Sequence, residues 1–388
     1  MASHPTQITP WLAACVLLAM LDPNIAVAGD VSSDVARTTF DLGESFDPAC
    51  FCFSNGNQLF ALADYRNGAV KLYDLRDLKL QTTLSGFPQE RGLTAFSTVR
   101  FSPDDTRLGV VCAGPRFSIL DIRRRKEVFA FSPKCDNCWS TAVSSDLSVL
   151  AVGERWNISL WEPEQRRQSR VIEAKYPYYV WSLAFNHTGD CIASTSPWQF
   201  SWPKVWNVKD GSEAVQLEGM GTYEHVYEKN GRQLTAILPR SDVNWSSIVF
   251  SLDDTMVAAV GSRVHGDESG RVTRSAVARV WNVVSGKTSW NLEVPGRIFR
   301  AIAVDSVRNR VFVVGGTQLP RAKEADPYGV MVYALDTGHK LFQLNGHTNT
   351  VHTLHVSLDG RWVATSGNDA TVRLWDVHLD LDKPRSGD

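Results

Sequence analysis

A pattern that recurs seven times after residue 35 constrains the fold more than any other feature of this sequence. Each copy holds a β-type strand, a short polar turn, a second apolar strand and a third strand that usually ends in an aromatic residue. The polar turns lie at 54–56, 102–105, 144–146, 186–189, 251–254, 305–306 and 357–360. The third strands end at Tyr73, Leu120, Trp161, Trp206, Trp281, Tyr333 and Trp375. A repeat of roughly 40–50 residues with several strands per unit predicts a seven-bladed β-propeller.

The clearest copy spans residues 346–376. It contains three β-type runs at 351–356, 362–365 and 371–375, separated by Ser-Leu-Asp-Gly and Gly-Asn-Asp turns. Short alternating runs bounded by such turn residues predict strands of one antiparallel meander. This copy therefore predicts the structure of a single blade.

This last copy resembles the WD-repeat family, because Gly346-His347 opens it and Trp375-Asp376 closes it. The resemblance implies a hydrogen-bonded tetrad in which Asp369 binds His347, His347 binds Thr365, and Thr365 binds the indole of Trp375. Such a network satisfies buried polar atoms that would each cost about 1–3 kcal/mol if left without a partner. The four residues are therefore expected to be structural. Other copies diverge; the second, for example, ends in Leu120 in place of Trp.

Closure of the ring is predicted from the two ends of the repeat region. The run 38–42 near the start has the same alternation as the run 340–344, which precedes the last copy. The N-terminal run should therefore supply the outer strand of the final blade and remove an open sheet edge. We expect an all-β propeller of four-stranded antiparallel blades over residues 29–380, followed by a polar tail at 381–388.

Residues 1–28 have the pattern of a secretory signal. An apolar run at 11–21 is followed by Ala26-Val27-Ala28, which provides small residues at both positions of a cleavage site. The run is shorter than the roughly 20 residues of a membrane span, and residues 1–10 contain no Lys or Arg. The sequence predicts an exported protein, periplasmic or extracellular, with no membrane span after cleavage. A cytoplasmic protein with a misassigned start is the alternative.

Composition and cysteines limit the possible partners. Charged residues make up 21% of the chain and the net charge is −2, so we expect no nucleic-acid partner; the one dense basic run, 123–126, fits a solvated turn. Removal of the signal leaves six cysteines. Cys135 and Cys138 form a C-x-x-C pair in a connecting loop, for which a local disulfide is favoured over a metal site or free thiols.

Loop length indicates which face of the propeller could bind a partner. In the WD-repeat family the connections between blades and those between second and third strands open on one face, here called the upper face. Long connections of these two kinds occur at 220–245, 264–275 and 318–329. The first contains Asn230-Gly231 between alternating runs and predicts a β-hairpin. Loops this long in compact domains are usually functional or disordered.

Aromatic residues add to the same face in the fourth repeat. Tyr176, Tyr178 and Tyr179 lie in the connection that leads into it, and Trp198, Phe200 and Trp202 lie between its second and third strands. Exposed aromatic clusters bind peptides and proteins or stack against sugars. The alternative is that these residues cap the core or pack beneath the 220–245 insert.

The sequence gives little support for catalysis. His225 and His265 lie in the upper-face inserts with Asp267 and Glu268, which is the one place where a histidine–carboxylate site could assemble. Tyr227 in the first insert is a further candidate binding residue. No phosphate-binding loop, nucleophile elbow or metalloprotease helix occurs, and we expect no cofactor or metal. The favoured function is a non-enzymatic scaffold that binds a protein or peptide on the upper face near blades four to six. A propeller hydrolase or oxidoreductase and a glycan-binding module are the alternatives.

Overall fold

The computed structural model describes thirty strands in most of the chain. The described residues are 36–41, 50–64, 67–87, 96–112, 115–135, 138–176, 178–197, 201–219, 221–229, 232–240, 243–266, 272–317 and 328–377. Within them there is no helix, and no segment could cross a membrane as one.

The strands form seven four-stranded antiparallel sheets and one separate hairpin. Strand β1 spans Thr38–Asp41. Blade one contains β2 (Phe51–Phe53), β3 (Leu59–Asp64), β4 (Ala69–Asp74) and β5 (Leu80–Ser85). Blade two contains β6 (Phe96–Phe101), β7 (Arg107–Cys112), β8 (Phe117–Asp121) and β9 (Lys126–Phe131). Blade three contains β10 (Ser140–Val143), β11 (Leu150–Gly153), β12 (Ile158–Glu162) and β13 (Arg167–Ile172).

The remaining strands continue the same order. Blade four contains β14 (Ser182–Phe185), β15 (Cys191–Thr195), β16 (Lys204–Asn207) and β17 (Glu213–Val215), and the separate hairpin is β18 (Gly221–Lys229) with β19 (Arg232–Arg240). Blade five contains β20 (Val243–Phe250), β21 (Met256–Gly266), β22 (Val272–Asn282) and β23 (Thr288–Pro295). Blade six contains β24 (Arg297–Asp305), β25 (Arg310–Thr317), β26 (Val330–Ala334) and β27 (Lys340–Leu344). Blade seven contains β28 (Val351–Val356), β29 (Trp362–Gly367) and β30 (Thr371–Asp376), with β1 as its outer strand.

The seven-bladed propeller predicted from the repeats is confirmed. The inner strands β2, β6, β10, β14, β20, β24 and β28 neighbour one another in this order, and β28 returns to β2. Ring closure is confirmed as well, because β1 pairs antiparallel with β30 from Thr38 opposite Leu374 to Asp41 opposite Thr371. Phe40 on β1 packs against Tyr73 of blade one at 4.6 Å between ring centroids. The first described strand thus joins the last blade to the first.

The core lies between neighbouring blades because apolar side chains project from both faces of each four-stranded sheet. Buried residues form clusters that span adjacent blades, with Phe60, Phe117 and Phe312 among the large side chains that are fully buried. Burial of such a side chain contributes about 1.5–3 kcal/mol. Each blade is therefore stabilised mainly by its two neighbours.

The recurring Ser-x-Asp turns form a repeated hydrogen-bond unit on the lower face. In four turns the Ser hydroxyl donates to the Asp carboxylate two residues later, at 2.5–2.7 Å. The same hydroxyl accepts the backbone N–H five residues later at 2.8–3.0 Å. The Ser residues are Ser102, Ser144, Ser251 and Ser357. These bonds explain why the polar turn recurs, since they satisfy backbone groups of a five- or six-residue connection.

Connections on the upper face vary far more. Antiparallel order places the connection from each outer strand to the next inner strand at the same end as the connection between second and third strands. The predicted insert hairpin is confirmed, because β18 pairs with β19 down to Lys229 opposite Arg232. The predicted loop at 264–275 is shorter than expected, because β21 continues to Gly266 and pairs with Val272. Blade five therefore extends as a two-stranded ribbon on this face.

Candidate functional site

The tetrad of the last blade has the bonds implied by the family resemblance. His347 Nδ1 lies 2.8 Å from Asp369 Oδ2 and its Nε2 lies 2.8 Å from Thr365 Oγ1. Trp375 donates from Nε1 to Thr365 Oγ1 at 3.0 Å. Burial alone would raise the pKa of Asp369, but the hydrogen bond and charge of His347 lower it well below the ordinary value. The network ties an upper-face connection to the third strand and is structural.

Blade four contains a variant of this network with Tyr176 in the place of the histidine. The Tyr176 hydroxyl lies 2.9 Å from Ser194 Oγ, and Trp206 donates to the same Oγ from Nε1 at 2.8 Å. Tyr176 is buried at 3% exposure, and burial raises its pKa above the ordinary tyrosine value. In blade three the strand pairing places Val152 where blade four has Ser194. Valine has no hydroxyl, and the Trp161 Nε1–H has no hydrogen-bond partner among the described residues. Tyr176 therefore holds a core position.

The predicted aromatic set of blade four divides between core and surface. Trp202 is buried at 5% exposure and packs edge-on against Trp245 and Trp281, at 5.8 and 6.1 Å between centroids. Tyr176 and Trp202 thus match the alternative that these aromatics belong to the core. Trp198 and Phe200 lie outside the described residues. Tyr178 and Tyr179 remain at the surface.

Four side chains at the surface form what we call the aromatic shelf. Its members are Trp139, Tyr178, Tyr179 and Trp181. Tyr179 stacks on Trp139 at 4.2 Å with 14° between the planes, and it contacts Tyr178 at 4.3 Å and Trp181 at 5.6 Å. Trp139, Tyr178 and Trp181 are 50%, 38% and 43% exposed. Their rings are thus ordered by one another while a large apolar area stays open to solvent.

The connections into blades three and four position the shelf. Trp139 donates its backbone N–H to Gly153 O at 2.9 Å, and Trp181 donates to Thr195 O at 2.8 Å. Each residue therefore lies at the upper end of an inner strand, beside the mouth of the central channel. Val180 also donates to Glu154 O at 2.9 Å, which holds the blade-four connection against the blade-three loop. That loop carries Trp156, 53% exposed, with the Arg155 guanidinium 4.9 Å from its ring centroid.

Sequence reasoning missed Trp139 and Trp181, although a signal was present. Both stand five residues before the first polar residue of the lower turn, Ser144 or Asn186. In other blades the residue five positions before the lower turn is Ser97, Ser246, Arg300 or His352. In all four of these blades the strand pairing shifts register there. An alignment of the seven copies on their polar turns would therefore have shown a tryptophan at the same structural position in two neighbouring blades.

The predicted insert residues are not brought into a described site. His225 and Tyr227 belong to β18 and His265 to β21, where the backbone alone is described; Asp267 lies outside the described residues. Within the described part of the chain no group of three His, Cys, Asp or Glu side chains could hold a metal ion.

The cysteines have two kinds of environment. Cys135 and Cys138 are joined by a disulfide in the connection leading to Trp139. Burial raises the pKa of Cys112 to about 12 and of Cys191 to about 11, and it raises that of Cys52 further. A thiol must lose its proton to act as a nucleophile. These three thiols are therefore inert packing groups at neutral pH.

Comparison with known proteins supports the identification of the repeat. The model of the family "WD domain, G-beta repeat" matches residues 338–376, which confirms the resemblance of the last copy. A chain in a crystal structure of the mitotic checkpoint complex superposes with a TM-score of 0.61 at 15% identity, covering 89% of this chain and 96% of that one. This likeness shows the fold.

Sequence relatives share shorter stretches. The target of rapamycin complex subunit wat1 of Schizosaccharomyces pombe is 31% identical over 26% of this chain and 29% of its own length. The nuclear distribution protein PAC1 of Arthroderma otae is 39% identical over 12% of this chain and 10% of its own length. The ribosome biogenesis protein ERB1 of Debaryomyces hansenii is 35% identical over 16% and 6%. The matched regions thus span less than a third of each relative.

Proposed function

We propose that this WD-repeat propeller is a non-enzymatic scaffold that binds a protein or peptide on its upper face, at the aromatic shelf. The observation that carries the proposal is that Trp139, Tyr178 and Trp181 are exposed and that their rings all contact the half-buried ring of Tyr179. The proposed site lies over the connections into blades three and four, next to the region of blades four to six that the sequence favoured.

The energetics of the shelf suit a protein ligand. Tryptophan and tyrosine are enriched among interface residues whose truncation costs about 2 kcal/mol or more. Because the rings pack against one another and stand on a closed ring of blades, little conformational entropy is lost when a ligand covers them. The release of water from their apolar surface favours binding.

The names of two matched proteins support a role in assemblies. The relative from Schizosaccharomyces pombe is a complex subunit, and the superposed chain comes from a crystal structure of a protein complex. A partner protein for this chain is a proposal by analogy with them. The described residues supply no assembled catalytic group, which places the hydrolase or oxidoreductase alternative second.

A glycan is the alternative ligand that a specific observation favours. The parallel stack of Trp139 and Tyr179 presents a flat apolar surface of the kind on which sugar rings pack. Competition separates the two ligands: soluble mono- and oligosaccharides should leave a protein partner bound but displace a glycan.

We also propose that the protein is exported after cleavage at residue 28. A disulfide such as Cys135–Cys138 persists in oxidising compartments and is rare in the cytosol. Intact mass of the purified native protein should correspond to a chain that begins at Gly29 and has lost two hydrogens. A full-length mass with free thiols would contradict export.

A triple substitution tests the shelf. Trp139, Tyr178 and Trp181 changed to Ala should abolish co-purification of the partners recovered with the native protein from its own organism. The control changes Val284 and Val307 to Ala, since these apolar side chains are 90% and 70% exposed on the lower face. Equal recovery of the same partners by the shelf variant would refute the proposed site.

A further inference from the structure

The central channel is a second candidate site, distinct from the aromatic shelf. The inner strands enclose a volume of about 570 Å³, within the roughly 300–1,000 Å³ of small-molecule pockets. Along each inner strand, alternate residues such as Ile248, Ile302 and Leu354 are buried between blades. Their neighbours face the channel because successive strand side chains point to opposite faces.

The charge of the lining is one-sided. Among the described residues that line the channel there is no Asp or Glu, whereas Arg100 supplies a cation. A low-dielectric enclosure with a cation and no carboxylate concentrates positive potential. The channel is therefore electrostatically suited to an anion.

Arg100, on β6 of blade two, is the cation of this lining. Its guanidinium donates one hydrogen bond, from Nη1 to Val143 O at 3.4 Å, and within the described part of the chain it has no ion pair. Desolvation lowers its pKa. Since an arginine carries five N–H donors, most of its donors are available to a ligand.

The carboxylates that act on the charge of Arg100 already have their own partners. Asp146 accepts bonds from the hydroxyls of Ser144 and Ser148 at 2.6 and 2.7 Å. Asp254 accepts the backbone N–H of His187 at 2.8 Å and also binds its ring. Both lie in lower-face turns, and neither forms an ion pair with the guanidinium.

Neighbouring polar groups complete the site. His355, on β28 of blade seven, is exposed to the channel, and desolvation together with the Arg100 charge lowers its pKa to about 4. It is therefore a neutral hydrogen-bonding group at pH 7. Two residues above Arg100 on the same strand, the Thr98 hydroxyl lies 3.0 Å from that of Thr141. Hydroxyls can donate to an oxyanion or accept from a ligand hydroxyl.

We propose that the central channel binds a small-molecule oxyanion, a carboxylate or phosphate, through the Arg100 guanidinium, with His355 and the channel hydroxyls as further contacts. A planar guanidinium matches either group with paired hydrogen bonds. The volume admits a compact organic anion. The site would give the propeller a small-molecule ligand in addition to a protein partner.

Titration calorimetry with inorganic phosphate and with citrate, at ionic strength held constant with sodium chloride, tests the proposal. The native protein should bind at least one of them with a single-site isotherm, and Arg100→Met should weaken binding at least about tenfold. Arg300→Met is the matched control, because Arg300 stands at the channel mouth outside the lining, and it should keep the native affinity. No binding to the native protein, or equal affinity in Arg100→Met, overturns the proposal.

A second variant covers the case in which Arg100→Met fails to fold. Cys52 on β2 lies near enough for the Arg100 charge to act on its thiol. Cys52→Asp would supply an internal carboxylate to the guanidinium and should abolish anion binding, whereas Cys52→Ser should retain it. Unchanged affinity in a folded Cys52→Asp protein would contradict a site at Arg100.

Discussion

Thr365 shows how one hydroxyl determines the stability of a blade. It is fully buried and accepts from Trp375 while it binds His347. Thr365→Val keeps the shape but leaves the indole N–H and the imidazole nitrogen without partners. We expect a loss of about 1–3 kcal/mol in the free energy of unfolding, measured by urea denaturation.

The adjacent Ser366 provides the control for that change. It is equally buried, but its hydroxyl has no hydrogen-bond partner among the described residues. Ser366→Ala should therefore be neutral or stabilising. If Ser366→Ala and Thr365→Val cost the same, the tetrad does not stabilise the blade.

His355 gives the protein a specific sensitivity to acid. Its pKa is about 4 in the folded protein, against an ordinary value of 6.5, because of desolvation and the Arg100 guanidinium. The Phe51 ring also lies near it, with 5.3 Å between the ring centroids. The unfolded state therefore takes up the proton first, and stability falls as the pH drops from about 6.5 towards 4.

His355→Gln tests this assignment because glutamine keeps a polar side chain that does not titrate. Thermal midpoints of both proteins, recorded at pH 7.5 and pH 4.5, should show a larger acid-induced drop in the native protein than in the variant. Identical drops would mean that His355 has an unperturbed pKa.

At the residue scale, the sequence predicted the tetrad but not the burial of Tyr176 and Trp202. The tetrad follows from residue types at fixed positions, and its bonds require no long-range information. The burial of Tyr176 and Trp202 depends on what lies opposite them, namely Ser194 and the pair Trp245 and Trp281. A linear pattern of aromatics does not distinguish a ring that fills the core from one that lies on it.

Among the elements, β1 is the strand that closes the ring of blades. Its pairing with β30 joins the two ends of the propeller, and Phe40 packs on blade one. A chain that begins at residue 46 should lose cooperative thermal unfolding near the native midpoint, because an open ring exposes a sheet edge and its core. A chain that begins at residue 36 retains β1 and is the control. Equal midpoints for the two chains would show that β1 does not close the ring.

Local signals predicted some elements better than others. The hairpin β18–β19 was predictable because Asn230-Gly231 favours a tight turn between alternating runs. The extension of β21 and β22 was not, since polar residues such as Thr273 and Arg274 resemble a loop in sequence. In the structure Thr273 and Arg274 pair with His265 and Val264 of β21. Local residue types did not show that this polar segment continues the two strands.

At the scale of the whole molecule, the two faces differ in construction. The lower turns are short and linked across blades, as where Asn55 and Gly56 of blade one bind Asp105 of blade two at 2.7–2.9 Å. The upper face carries the variable connections and the aromatic shelf. This division explains why periodicity predicted the propeller, whereas the site depends on residues outside the repeat.

Site-specific photo-crosslinking tests the central claim most directly, since it reports where a partner touches the native surface. A photoreactive phenylalanine would replace Trp181 on the shelf in one protein and Val284 on the lower face in another. We expect irradiation of cells that produce each protein to yield a discrete crosslinked partner from position 181 and none from position 284. Crosslinks to a partner from position 284 alone would contradict binding on the upper face.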